Sequence, residues 1–150
     1  MPHIEIAAEK LFYLGNFAVT NSLITSWVTV GILLAMTLVL RSRLSLVPAG
    51  VQNVTELFVE RFVGLMEGVL GSRAVAEKYF PIVATVFLFI LTSNWLGILP
   101  GIGSIGIIEV KDHHEQFVPL LRSAASDLNV TLALATVTVF IIHILAVGAV

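Results

Sequence analysis

The segment YFPIVATVFLFILTSNWLGILPGIGSIGII, Tyr79–Ile108, contains no Asp, Glu, Lys or Arg. Leu11–Leu40 and Leu128–Val150 share this property. Each segment is longer than the roughly 20 apolar residues that an α-helix needs to cross a hydrocarbon core of about 30 Å. The sequence therefore predicts an all-α membrane protein with three transmembrane helices. We place the cores of these helices at Ser22–Leu40, Pro81–Leu99 and Asn129–Val147.

The composition is typical of a membrane domain. Hydrophobic residues make up 57% of the chain, charged residues 12%, and the mean hydropathy is +0.99, whereas soluble domains carry about 25% charged residues. With 150 residues, we expect a single membrane domain that needs partners to enclose a wide pathway. A net charge of −2 argues against nucleic-acid binding, and the absence of Cys excludes thiolate chemistry and Cys-ligated zinc.

The basic residues predict the orientation in the membrane. The connector between the first two predicted spans carries five of them, namely Arg41, Arg43, Arg61, Arg73 and Lys78. The N-terminal tail has only Lys10, and the second connector has Lys111 and Arg122. Because Lys and Arg stay on the cytoplasmic side, we expect a multi-pass protein of the cell (inner) membrane with its N terminus outside.

The first connector contains a helical pattern over 51–70. Large apolar residues recur at three- and four-residue steps, namely Val51, Val54, Leu57, Phe58, Phe62, Leu65 and Val69. This pattern predicts an amphipathic helix on the membrane surface. Gly64 and Gly68 share one of its faces and favour close packing against a partner backbone; the alternative is that they are only poor helix formers near a turn.

Polar residues within predicted spans usually face protein or water. Asn129, Thr136 and His143 are seven residues apart, which puts them on one face of the third helix. They form the wall of a hydrated pathway in one interpretation. In the other, Asn129 caps the helix, Thr136 bonds its own backbone and His143 lies at the inner interface. Asn94 near the outer end of the second span must also find hydrogen-bond partners, either in a polar cavity or on another helix.

No enzymatic or metal-binding motif stands out. Asp112-His113-His114-Glu115 lies in a loop without the helical or Cys spacing of a zinc site, so we interpret it as a solvated charge run. The chain has no P-loop and no nucleophile beside a base. We therefore predict no catalytic residues, no metal site and no cofactor.

Three segments together resemble subunit a of F-type ATP synthases. They are Val47–Leu57, Tyr79–Gly101 with its NWLGILP exit, and Phe117–Ala135 with the DLNVT motif. The resemblance implies a stator subunit that offers H⁺ or Na⁺ two offset half-channels beside a ring of c subunits, with peripheral-stalk b subunits as further partners and no chemistry on ATP. It associates Asn94 with the outer half-channel and matches Arg122, Asp127 and Asn129 to frequent family positions. Some relatives have Asp where this chain has Gly97.

Two expectations follow from what the chain lacks. In the family, two further helices follow, and one carries an Arg that keeps ions from passing directly between the half-channels. The chain ends at Val150, so we expect a truncated reading frame or a partial sequence that does not conduct by itself. The alternative function is a three-span scaffold or assembly protein that moves no ions, because His143 is the one ionisable residue predicted inside a span.

Overall fold

The fold comes from a computed structural model that describes residues 8–42, 44–111 and 114–147, without the side chains of 109–111, 114–116 and 145–147. In chain order the strands and helices are β1 (Lys10–Leu14), β2 (Phe17–Thr20), α1 (Asn21–Ser42), α2 (Val51–Leu70), α3 (Arg73–Ile98), β3 (Gly106–Lys111), β4 (His114–Pro119) and α4 (Leu128–Val147). Single 3-10 turns lie at Ile102–Ser104 and Ala124–Ser126.

The described part of the chain is mostly helical. Within it, α1 and α3 are long and apolar enough to cross a membrane, and Leu128–Ile144 of α4 is a shorter apolar helix. α3 begins at Arg73, before the membrane core predicted from Pro81 to Leu99, and contains the proline. Arg73 supports the first turn of α3 by donating from Nε to Glu77 Oε1, one helical turn later, at 2.7 Å.

Two antiparallel hairpins were not predicted from the sequence. β1 pairs with β2 through Leu14↔Phe17, and β3 pairs with β4 from Gly106↔Pro119 to Lys111↔His114. The Gly15-Asn16 dipeptide between β1 and β2 is a hairpin signal, but it lies in a charge-free run next to a membrane helix. The fold is mostly helical, as the sequence predicts, and both hairpins lie outside the three predicted spans. Of Asp112-His113-His114-Glu115, the side chains lie outside the described part of the structure.

The chain divides into two compact units, of which one comprises Val30–Phe89. It contains an aromatic cluster, in which the Phe62 ring lies 5.4 Å from Phe58, 6.0 Å from Phe80 and 5.1 Å from Phe87, measured between centroids. Val63 is buried beside them in α2. The helix thus packs through one edge of its apolar surface, and the remaining apolar side chains stay exposed, namely Val51, Val54, Leu57, Leu65 and Val69.

The other unit comprises Met1–Thr29 and Ile90–Val150. It contains both hairpins, the first turns of α1, the last turns of α3 and all of α4. Its buried side chains are largely polar: Asn21, Ser22, Thr25, Thr29, Ser93 and Asp127. Because a buried polar group must be hydrogen-bonded to avoid a cost of a few kcal/mol, the partners of these residues define the candidate site.

Candidate functional site

The polar face of α1 binds the segment that precedes α4. Thr25 Oγ1 donates to the carbonyl of Asn21 at 3.0 Å and accepts the backbone N–H of Arg122 at 3.1 Å. Thr29 is satisfied by its own helix, through a 2.8 Å bond to the carbonyl of Thr25. Ser22 is fully buried, and its Oγ has no hydrogen-bond partner among the described residues. Thr25 therefore fixes the backbone at Arg122.

Asn21 joins three parts of the same unit at the first residue of α1. Its Nδ2 donates to Glu9 Oε2 at 3.0 Å and to the carbonyl of Pro119 at 3.2 Å. Its Oδ1 accepts the backbone N–H of Ser22 at 2.9 Å. This fully buried amide thus ties the residue before β1 and the end of β4 to the start of α1.

Two side chains in the last turns of α3 form hydrogen bonds with the same segment. Ser93 Oγ accepts the backbone N–H of Ala124 at 2.9 Å, and Ser123 Oγ donates to Asn94 Oδ1 at 2.9 Å. Gly97 allows this approach, because a β-carbon at that position would lie 2.8 Å from the Ser123 β-carbon. We call residues 119–127 the outer connector, after the side of the membrane that the basic residues predict for them. The connector is hydrogen-bonded to α1 through Thr25 and to α3 through Ser93 and Asn94.

The hydrogen bond from Ser123 satisfies only the oxygen of the Asn94 amide. Its Oδ1 is bound by Ser123, whereas its Nδ2 has no hydrogen bond to any described residue, and the side chain is half-buried. An amide carries two donors and one acceptor oxygen. Ser123 therefore sets the orientation of the amide and leaves both N–H donors available to water or to a partner.

Asp127 and Asn129 form the start of α4. The buried Asp127 accepts the backbone N–H of Asn129 at 3.0 Å and its Nδ2 at 3.2 Å, both through Oδ1. This is the geometry of an N-cap, in which a carboxylate satisfies a free N–H and lies at the positive end of the helix dipole. Arg122 donates from Nε to Ser126 Oγ at 3.2 Å in the same connector. Asp127 and Asn129 thus cap the start of α4, and Arg122 lies in the connector that leads to it.

Thr136 and His143 lie farther along α4 and are both exposed. Thr136 Oγ1 donates to the carbonyl of Leu132 at 2.8 Å, and His143 Nδ1 lies 2.8 Å from the carbonyl of Val139. Each is therefore paired within its own helix. Within the described residues no hydrogen bond links either of them to Asn94.

Gly64 and Gly68 are exposed on α2. Apart from the backbone of α2 itself, a β-carbon built at either position meets no atom of the described residues within 4 Å. Gly71, at the end of the helix, has a different role: its φ of 72° is the left-handed conformation of a C-cap, and its N–H donates to the carbonyl of Glu67. The surface of α2 around Gly64 and Gly68 therefore has room for a backbone from outside the chain.

No group of three or more His, Cys, Asp or Glu residues that could hold a metal ion occurs among the described side chains. Asp112 and His113 are outside that set, as are the side chains of His114 and Glu115. The described side chains of the site are mainly neutral amides and hydroxyls, with the carboxylates of Glu9 and Asp127 and the guanidinium of Arg122. Such groups can bind and orient water or a backbone.

The long apolar helices and the buried polar residues at their ends define an α-helical membrane protein. The profile of the family described as ATP synthase A chain matches residues 23–149. The chain belongs to this family. The site residues Asn21, Ser93 and Ser123 are not among the predicted candidates. Thr25 has a signal in the sequence, because Ser22, Thr25, Ser26 and Thr29 recur at helical spacing on one face of α1.

Curated relatives agree with this assignment. The chain is 29% identical over 138 residues to ATP synthase subunit a of Moorella thermoacetica, covering 92% of this chain and 54% of that protein. It is 36% identical over 125 residues to that of Mycobacterium marinum, covering 82% and 47%. For Campylobacter curvus the identity is 35% over 102 residues, covering 68% and 37%. The chain thus spans about half the length of the first two relatives.

Proposed function

We propose that this chain is a membrane-embedded stator part of a rotary ATP synthase, which contributes to the route of H⁺ or Na⁺ beside the c-ring. Family membership supports the class of complex. The half-satisfied amide of Asn94, held by Ser123 at 2.9 Å, is the observation that carries the proposed route. An uncharged amide with a fixed orientation and free N–H donors can order water at the mouth of a pathway.

The proposed arrangement is a single membrane domain in which α1, α3 and α4 each cross the bilayer and the N terminus lies outside. The outer connector then lies at the outer surface, and α2 lies at the cytoplasmic surface. Support comes from the five basic residues between α1 and α3. A lipid bilayer also accounts for the many apolar side chains that α1 and α3 expose.

Single cysteines test this orientation, because the chain contains none of its own. We expect Ser104→Cys to react with a membrane-impermeant thiol reagent added from outside, and Ser72→Cys only with reagent present inside. The measurement is labelling of this chain in sealed vesicles of known orientation. The opposite pattern at both positions would overturn the N-out topology.

The proposed pathway begins at Asn94 and continues on the exposed side of α4. Thr136 and His143 lie on that side with Asn129, whereas the half-buried residues of α4 lie elsewhere, at Val130, Thr131, Leu134, Thr138 and Ile141. The stripe of Asn129, Thr136 and His143 is therefore free to face a hydrated space. Arg122 and Asp127 serve in this proposal to hold the connector and the start of α4 beside Asn94.

The direct test uses Asn94→Cys in the ATP synthase that contains the chain. If the site faces an outer aqueous pathway, silver ion or a small thiol reagent added from outside will react with the cysteine and slow ion-driven ATP synthesis. The matched control is Thr85→Cys on the same helix, since Thr85 Oγ1 bonds its own backbone at Pro81. Equal inhibition at both positions, or none at position 94, would count against the pathway.

The proposed partners are the c-ring and the peripheral-stalk b subunits. The face of α2 with Gly64 and Gly68 fits a helix from such a partner, because exposed glycines let two backbones approach closely. The open space above both glycines within this chain supports an external occupant. The exposed apolar neighbours Leu57 and Leu65 would pack beside it.

Filling this face should weaken assembly. We expect Gly64→Leu and Gly68→Leu to lower the yield of the complete complex several-fold while the chain still inserts into the membrane. Val69→Leu is the control, because Val69 is exposed on the same helix but points away from the glycines. Co-purification of the subunits measures assembly, and normal yield from both glycine variants would show that this face is unoccupied.

The second candidate function is a scaffold that binds helices and moves no ions. The internal pairing of Thr136 and His143 favours it, since each side chain has a hydrogen-bond partner within its own helix. The two functions differ in one outcome. A scaffold would leave ion flux unchanged by any substitution at position 94 that preserves assembly.

A further inference from the structure

The β1–β2 hairpin carries an exposed apolar tip. Tyr13 is 62% exposed, Leu14 68% and Phe17 61%, although each is a large apolar or aromatic side chain. The tip turns at Gly15, whose φ is 65°. In water alone, such a cluster on a two-stranded hairpin would be unfavourable.

The pairing register sorts these side chains onto two faces. Leu14 lies opposite Phe17, Phe12 opposite Val19, and Tyr13 opposite Ala18. Because neighbouring residues of a strand point to opposite faces, one face carries Phe12, Leu14 and Phe17 together with Val19, and Tyr13 lies on the other. Val19, near the base of the hairpin, is buried, whereas Leu14 and Phe17 at the tip are exposed. The Nζ of Lys10 lies 5.9 Å from the centre of the Tyr13 ring. The hairpin therefore has an apolar face and an aromatic-cationic face.

The hairpin is joined to α1 without a linker. β2 ends at Thr20 and α1 begins at Asn21, whose backbone N–H donates to the carbonyl of Glu9 at 3.1 Å. Thr20 Oγ1 accepts the N–H of Leu23 at 3.3 Å, as an N-cap does. These bonds hold the base of the hairpin on the first turn of α1. Exposed apolar surface then continues along the helix at Trp27 and Val28.

We infer that the β1–β2 hairpin is an interfacial anchor that inserts its apolar face, Phe12, Leu14 and Phe17, among the lipids of the leaflet where α1 begins. Tyr13 and Lys10 lie at the level of the headgroups, where aromatic and basic side chains are favoured. Lipid is the occupant because the hairpin meets the bilayer wherever α1 enters it. The inference rests on the proposed crossing of α1 and not on the proposed ion pathway.

Nitroxide labels on single cysteines test this anchor. Leu14→Cys and Phe17→Cys report the apolar face, Tyr13→Cys reports the opposite face, and Leu34→Cys reports α1 itself, where Leu34 is exposed. The chain is labelled within its ATP synthase, with the other subunits free of cysteine, in vesicles of phosphatidylcholine and phosphatidylglycerol. Collision rates with oxygen, which concentrates in lipid, are compared with those of a water-soluble nickel chelate.

We expect the ratio of oxygen to nickel collision rates to be several-fold higher at positions 14 and 17 than at position 13, and close to the ratio at position 34. High nickel collision rates at positions 14 and 17 would show a hairpin in water and overturn the anchor. Low rates with both reagents would show that a protein covers the tip, which also overturns it. Nickel access at position 34 would instead refute the crossing of α1, so the two failures are distinguishable.

Discussion

Asn94→Leu is expected to reduce ion-driven ATP synthesis by about tenfold, a change equivalent to about 1.4 kcal/mol in an activation barrier, while the amount of assembled complex falls much less. Leucine is similar in volume but lacks the N–H donors that Asn94 presents and the Oδ1 that binds Ser123. The measurements are the initial rate of ATP synthesis in inverted vesicles at a fixed ion gradient and the abundance of this chain in the same vesicles.

Ser123→Ala separates the orientation of the Asn94 amide from the presence of its N–H donors. It removes the hydroxyl that orients Asn94 but keeps the N–H donors, so we expect a rate between those of the unmodified complex and Asn94→Leu. Thr85→Val is the control for the helix and should leave the rate unchanged, because the Thr85 hydroxyl bonds its own backbone. If Asn94→Leu lowers abundance as much as it lowers rate, the residue anchors the connector and has no part in the pathway.

Gly97→Ala is expected to destabilise the chain by about 1–3 kcal/mol, the usual cost of forcing extra atoms into a packed contact. The added β-carbon would lie 2.8 Å from the Ser123 β-carbon and 3.3 Å from its backbone nitrogen. The connector must therefore move, which strains the hydrogen bond between Ala124 and Ser93 and the one between Ser123 and Asn94. The loss is measured as the midpoint of unfolding in detergent with increasing denaturant.

A loss of stability in Gly97→Ala would be informative, because Gly→Ala within a helix normally stabilises a protein by roughly 0.5–1 kcal/mol. Gly31→Ala is the matched control, since Gly31 lies in α1 with no atom within 4 Å of a built β-carbon. We also expect Gly97→Ala to cost much less in a Ser123→Gly background, where the opposing β-carbon is gone. A cost that is unchanged in this background would show that the contact is not the cause.

The helices could be predicted to different degrees. The bounds of α2, Val51–Leu70, coincide with the amphipathic pattern over 51–70, because Gly50 and Gly71 interrupt helix geometry at both ends. The start of α3 could not be predicted from Pro81, since a proline tolerated within a helix resembles one that begins it. Hydropathy alone also could not predict the β1–β2 hairpin. A continuous apolar run lacks the alternation of polar and apolar residues that would distinguish a strand from the flank of a membrane helix.

The site was predictable only in part. Asn94 stands out in the sequence because an amide in an apolar helix needs partners, but nothing identifies Ser123 as that partner, 29 residues later. Asp127 is recognisable as an N-cap because that signal is local. Gly97 reads in the sequence as an acid lost relative to some relatives, whereas in the structure it provides the space that the connector occupies. Contacts between distant residues require the tertiary fold.

The outer connector also imposes an order on biogenesis. The backbone N–H that donates to Thr25 lies 97 positions later in the chain, and the one that donates to Ser93 lies 31 positions later. When α1 and α3 have been synthesised, the segment 119–127 that binds these hydroxyls and the Asn94 amide has not yet been made. The polar residues at one end of α1 and α3 therefore gain these partners only after the connector has been synthesised, so this unit cannot close before that point.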